Sequence, residues 1–143
     1  MPLTVVQTLT EAQIEQLWAL YQHEWWSKGR GLEDVCMVIR HSNLVIGLVD
    51  RAAFLVAFAR VWTDQRYRAL LLDVIVADSL RRRGVGTQLM QAVLTHPLLA
   101  RVESIVLFCR PELVAFYRRY GFAASDSGII AMRKRQMPMQ APS

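Results

Sequence analysis

The sequence predicts an α/β domain: one mixed, mostly antiparallel central sheet flanked by about four helices. Three observations carry that expectation. Apolar residues recur at threes and fours early in the chain, give way to β-branched and aromatic runs between residues 44 and 76, then return to helical spacing. A nearly continuous Leu/Ile/Val strand feeds a basic, glycine-bearing turn that opens a helix. The length of 143 residues suits one domain, and 53% hydrophobic against 20% charged residues supplies a packed core. The expected division is a domain over residues 1–136 and a flexible tail over 137–143.

Leu3 to Leu9 reads as a strand. Thr10 then opens a helix, with Gln13 three residues on in a capping-box pattern, and Ile14, Leu17, Trp18, Tyr21 and Trp25 share its apolar face. The segment Ser27-Lys28-Gly29-Arg30-Gly31 breaks that helix, and a second follows with Leu32, Val35, Cys36 and Ile39 on one side. Leu44 to Val49 and Ala53 to Trp62 form a hairpin about Asp50-Arg51. Tyr67 to Val76 is a strand buried on both faces. A helix with Val85, Leu89, Ala92 and Val93 on one side ends before Pro97. Val102 to Cys109 is the next strand. Pro111 opens a helix whose packed face holds Leu113, Phe116, Tyr117 and Tyr120, and Gly121 suits its C′ position. Short strands at 122–124 and 129–133 complete the order and offer an edge for pairing across a homodimer.

Several function classes are excluded by composition. The longest uncharged stretch, Gly84 to Ala100, is 17 residues but holds two Gly, a Pro and five polar side chains, so it is no membrane span. The N-terminus lacks a signal-like pattern, which points to a cytoplasmic protein with no membrane partner. Cys36 and Cys109, with His23, His41 and His96 scattered, make neither a disulfide framework nor a metal-ligand cluster. The net charge of +5 and a pI near 9.8 ask for a polyanionic partner. A nucleic-acid-binding module is one answer, but the arginines are dispersed and no helix-turn-helix, zinc or RNA-recognition signature accompanies them.

The local answer lies in Asp73-Val74-Ile75-Val76-Ala77-Asp78-Ser79-Leu80-Arg81-Arg82-Arg83-Gly84-Val85-Gly86. The first amides of a helix lack intrahelical acceptors and carry partial positive charge. Gly84 and Gly86 remove side chains where a phosphate approaches the backbone, so the turn builds an anion site of the pyrophosphate-binding type. No Gly-Lys-Ser/Thr and no G-x-G-x-x-G follows, so it is neither a P-loop nor a dinucleotide fingerprint.

An R-x-x-G-x-G turn after a V-x-V strand, then a further strand and Phe116-Tyr117-Arg118-Arg119-Tyr120-Gly121-Phe122, resembles the GNAT superfamily of acyl-CoA-dependent N-acetyltransferases. The resemblance spans residues 3 to 135. It implies acetyl-CoA as co-substrate and a small-molecule or protein amine as acceptor, with no nucleic acid. Backbone groups of Val74, Ile75 and Val76 would pair with the pantetheine arm like an added strand. Amides from Arg81 through Arg82, Arg83, Gly84, Val85 and Gly86 to Thr87 would hold the pyrophosphate. A splay between strands ending near Val76 and Cys109 would admit the thioester, and Tyr117 would stand beside the sulfur.

Acetyl transfer to nitrogen needs a neutral amine, and a lysine-like amine of pKa about 10.4 is only ~0.04% neutral at pH 7. Members of the family with a dedicated glutamate carry it where this chain has Leu70. Asp73 is the nearby candidate base; on an unbroken strand it shares a face with Leu71 and Ile75, and the alternative is a buried carboxylate tied to Arg60 or to a backbone amide. Glu24 and Asp64 would draw a cationic amine, and Trp26, off the first helix's apolar face, would line the acceptor pocket. Water-relayed deprotonation stays open. Because Leu70 replaces the family's glutamate, a non-catalytic acyl-CoA sensor of the same fold is the other reading.

Overall fold

The computed structural model describes residues 2–124 and 128–137. Its backbone forms two compact units that divide between Leu107 and Phe108. The first unit contains β1 (Thr4–Val6), α1 (Glu11–Gln22), α2 (Leu32–Arg40), β2 (Leu44–Val49), β3 (Leu55–Thr63), β4 (Arg68–Val76), α3 (Val85–Leu94) and β5 (Ser104–Val106). The five strands lie in sequence order, antiparallel throughout except for the parallel β4–β5 pair. The second unit contains α4 (Val114–Arg118), entered through a 3₁₀ turn at Pro111–Leu113.

Local chemistry accounts for the ends of these elements. Thr10 Oγ1 accepts from the Gln13 amide at 3.1 Å, and Gln13 Oε1 accepts from the Thr10 amide at 3.0 Å, the reciprocal bonds of a capping box. In the β2–β3 turn Asp50 Oδ1 accepts from the amides of Ala52 and Phe54. Gly121, at φ +89°, reverses the chain after α4 and lets the Phe122 amide reach the Tyr117 carbonyl at 3.4 Å.

The core explains why β2 is buried at all six positions. Leu17, Tyr21 and Val35 from α1 and α2 pack with Val45, Val49, Phe58 and Ile75 on one face of the sheet. Helix α3 packs against β2 and β3 and buries Val85, Leu89, Met90 and Val93. Burying one such side chain is worth roughly 1.5–3 kcal/mol, so helices on both faces hold the sheet in place.

Three expectations change. α1 stops at Gln22, so the helical phase that would bury Trp25 is lost. Trp25 is 53% exposed, whereas Trp26 packs against the core with its ring edge on Tyr21 at 6.0 Å. The strand expected over Val102–Cys109 shortens to Ser104–Val106. The described parts of 122–124 and 129–133 form no strand, and Ile129, Ile130 and Met132 are exposed. Of the expected tail, residues 138–143 lie outside the described residues.

Candidate active site

β4 is longer than its parallel partner. β5 pairs with Arg68, Ala69 and Leu70 and then ends, so β4 runs on to Val76 with that edge unpaired by any described strand. The Ala77 amide donates to the Val56 carbonyl at 2.9 Å, and Ile75 stands opposite Phe58. Backbone groups alternate along a strand, so Ile75 turns its N–H and C=O into the sheet while Val74 and Val76 present theirs to the open edge. Of the three residues expected to pair with an extended arm, Ile75 is therefore already engaged with β3.

The turn after β4 has the conformation that its sequence implies. Arg82 adopts φ +65° and Gly84 φ +79°, and the first helical bond runs from the Gln88 amide to the Gly84 carbonyl at 3.1 Å. A Cβ at Gly84 would meet no heavy atom within 4 Å, so the N-cap of α3 is uncrowded on that side. Arg81 folds back across this edge. Its Nε donates to the Val76 carbonyl at 3.3 Å, and its Nη2 stands 2.7 Å from Glu24 Oε1 and 3.0 Å from Asp78 Oδ1. Glu24, expected to draw an amine, is thus paired with a cation of the β4–α3 turn. Burial pushes its carboxyl up, against the opposing charge of Arg81.

Midway along β4 the pairing with β3 slips. Phe58 stands opposite Ile75 and Arg60 opposite Leu72, so Asp73 and Val74 together face Ala59 in a β-bulge, with Asp73 at φ +54°. The bulge reverses the strand's alternation. Arg60 with Leu72 and Trp62 with Leu70 are cross-strand pairs, and Arg60 bonds Asp73, so Asp73 shares a face with Leu70. Leu71 pairs with Val61 on the opposite face, which overturns the expected sharing with Leu71, while Ile75, clustered with Tyr21 and Phe58, does share the face of Asp73.

On that face Asp73 Oδ2 accepts from three donors: Arg60 Nε at 2.7 Å, Tyr21 Oη at 2.8 Å and Arg30 Nη1 at 3.1 Å. Burial works to raise this carboxyl, but the Arg60 bond, the charges of both guanidiniums and the Tyr21 hydroxyl outweigh it. The group is held below the ordinary carboxylate range, the wrong direction for taking a proton from an ammonium. The buried carboxylate tied to Arg60 is what the structure contains. Burial and the adjacent carboxylate push the Tyr21 phenol above its usual value, so it stays a donor. Arg30 stacks on Tyr21 at 4.8 Å and on Trp26 at 5.3 Å, which places Trp26 behind this cluster.

A cleft of about 530 Å³ opens beyond the bulge, lined by Asn43, Trp62, Asp64, Arg68, Leu70 and Val106 among others. Asp64 reaches it from the β3–β4 turn. Its Oδ1 accepts from the amides of Arg66, Tyr67 and Arg68, which hold the carboxyl below its ordinary range. Sequence reasoning did not single out Tyr21, Arg30 or Trp62. A hydroxyl on an otherwise apolar helix face was the one available signal for Tyr21.

In the second unit Tyr117 is 8% exposed, with its ring edge-on to Phe116 at 5.0 Å and to Phe122 at 6.0 Å. Burial pushes its phenol up to about 12, with a smaller contribution from Cys109. The described residues contain no cluster able to hold a metal ion, and no described helix is long and apolar enough to cross a membrane.

A sheet with one strand edge released beside a glycine-capped helix start defines a fold of the acyltransferase class. The model of the acetyltransferase (GNAT) domain matches residues 34–124, and the chain belongs to that family. It is 31% identical over 110 residues to the uncharacterized N-acetyltransferase ycf52 of Porphyra purpurea, covering 75% of this chain and 63% of that protein. It is 36% identical over 105 residues to serotonin N-acetyltransferase 2, chloroplastic, of Oryza sativa subsp. japonica, covering 68% and 52%. The chain thus spans about three fifths or less of the length of these relatives. A crystal structure of a GNAT-family protein from Xanthomonas campestris pv. campestris superposes with a TM-score of 0.80 at 31% identity, covering 94% of this chain and 95% of that one.

Proposed function

We propose that this chain is an acetyl-CoA-dependent N-acetyltransferase acting on a primary amine by direct attack on the thioester. The observation that carries this reading is the free β4 edge at Val74 and Val76 running straight into the glycine-capped start of α3. Its residues fit the cofactor: an edge that no described strand pairs, for an amide-bearing arm, and a helix start capped by an uncrowded glycine, for a pyrophosphate. Arg81, Arg82 and Arg83 add the countercharge.

When bound, acetyl-CoA supplies the activated acetyl group. Arg81 gives up Val76 and Glu24 and turns to phosphate, which uncovers the Val76 carbonyl and a carboxylate for the ammonium. Water takes the amine's proton before a new C–N bond replaces the C–S bond. The Val74 N–H, aimed at the open edge, polarises the carbonyl. Asp73 positions Arg30 and Arg60. Tyr117 donates a hydrogen bond to the leaving sulfur; full proton transfer from a phenol at about 12 to a thiolate of pKa about 8.5 would cost ~5 kcal/mol.

The second reading, an acyl-CoA sensor, draws on Leu70 and on the full engagement of Asp73. Both CoA readings expect micromolar acetyl-CoA to raise the melting temperature at 150 mM salt and an oligonucleotide to leave it unmoved. Release of CoA thiol with a panel of amines, serotonin among them, then identifies the enzyme; silence across the panel refutes it. The two unpaired cysteines fit the expected cytoplasmic setting.

A further inference from the structure

The cleft beyond the bulge has a particular make-up. Trp62 is 45% exposed yet fixed: its Nε1 donates to the His41 carbonyl at 3.0 Å, and the Arg60 guanidinium sits 5.1 Å from its ring centroid. Leu70 stands opposite Trp62 across the strand pair, and Val106 stands opposite Leu70 on β5. These residues give the cleft a predominantly apolar lining. An indole held in place and left half bare on a wide, open cleft offers an apolar face to a ligand.

Charge decides what kind. Arg60 already uses the negative potential of the Trp62 ring, so a second cation on that indole meets repulsion. Arg68 adds positive charge to the same cleft, while Asp64 has one oxygen committed to three backbone amides. A neutral, electron-rich ring is favoured over an ammonium. Position decides the rest. β4 carries the cleft at Ala69 and Leu70 and the free edge at Val74 and Val76, and Leu70 lies about 10 Å from Asp73 along the strand. A ring seated against Trp62 and Leu70 would send a two- or three-carbon arm toward the bulge.

We infer that this cleft is the acceptor site and that it selects an arylalkylamine, with Trp62 as the specificity-determining contact. The inference rests on the N-acetyltransferase reading. Its test measures CoA thiol release with 2-phenylethylamine and tryptamine against 2-cyclohexylethylamine, 1,4-diaminobutane and a lysine peptide. The expected result is a kcat/KM at least tenfold higher for the aryl amines than for the saturated analogue. Trp62→Ala should collapse that ratio about tenfold through KM, and Trp62→Phe should restore most of it. Equal rates for aryl and saturated amines, or a preference for the diamine or peptide, overturn the inference while leaving the enzyme reading intact. Calorimetric titration of tryptamine into the protein saturated with CoA reads the cleft without turnover. Binding that Trp62→Ala weakens supports the aryl site even if no acetylation occurs, and absence of binding overturns it.

Discussion

Replacing Asp73 with Asn tests the buried cluster at its centre. The change keeps the shape and an acceptor oxygen but removes the negative charge bonded to Arg60, a residue 6% exposed. Breaking a buried pair from one side costs about 3–5 kcal/mol. Arg30, whose side chain is 30% exposed, recovers solvation and adds little. With the retained acceptor the loss should lie near the lower figure, ~3 kcal/mol, or a melting temperature about 12 °C lower at ~4 °C per kcal/mol for a domain of this size. Because the folded carboxyl is held below its unfolded value, its stabilisation is fully present above the unfolded pKa and is lost as pH falls through the folded one. The gap between wild type and variant should stay constant from pH 7 down to about 5 and close below about pH 4. Differential scanning fluorimetry across that range reads both. A shift under about 4 °C at pH 7, or a gap that closes near neutrality, would refute the claim that Asp73 is an ionised anchor. The variant's pH–rate profile should keep the wild-type shape; loss of its lower limb would restore Asp73 as the base.

Three further outcomes follow from the same geometry. Tyr117→Phe should lower kcat at least tenfold with acetyl-CoA affinity within twofold, read by steady-state kinetics and calorimetry; unchanged turnover removes the residue from the chemistry. Glu24→Gln should release Arg81, tighten acetyl-CoA binding about threefold and raise the acceptor KM; weaker cofactor binding would show that the Arg81 pairing is scaffolding. Thr10→Ala should cost about 1 kcal/mol of unfolding free energy by denaturant titration, because it removes the Oγ1 acceptor of the Gln13 amide and leaves only the backbone half of the α1 cap.

What the residues disclosed in advance was mostly local. Thr10 and Gln13 announce their cap because the partners are three residues apart, and Gly84 announces its turn because φ +79° suits few other residues. The turn from β4 into α3 was legible for that reason. The bulge was not: nothing in Leu72-Asp73-Val74-Ile75 marks which residue is extra, and the face of Asp73 depends on a slip against β3. Trp25 and Trp26 exchanged roles because α1 ends at Gln22, a boundary that apolar spacing alone does not mark. The Arg81–Glu24 pair joins residues 57 positions apart, and only the folded chain brings them together.

The segment between α1 and α2 carries one more consequence. The Arg30 carbonyl accepts from Trp18 Nε1 and Gln22 Nε2, both at 2.9 Å, and Ser27, 2% exposed, donates to the Tyr21 carbonyl at 2.8 Å. With its guanidinium on Asp73 as well, Arg30 is tied to the helix behind it and to the sheet beneath it. A loop fastened at both levels is a fixed wall and not a hinged lid.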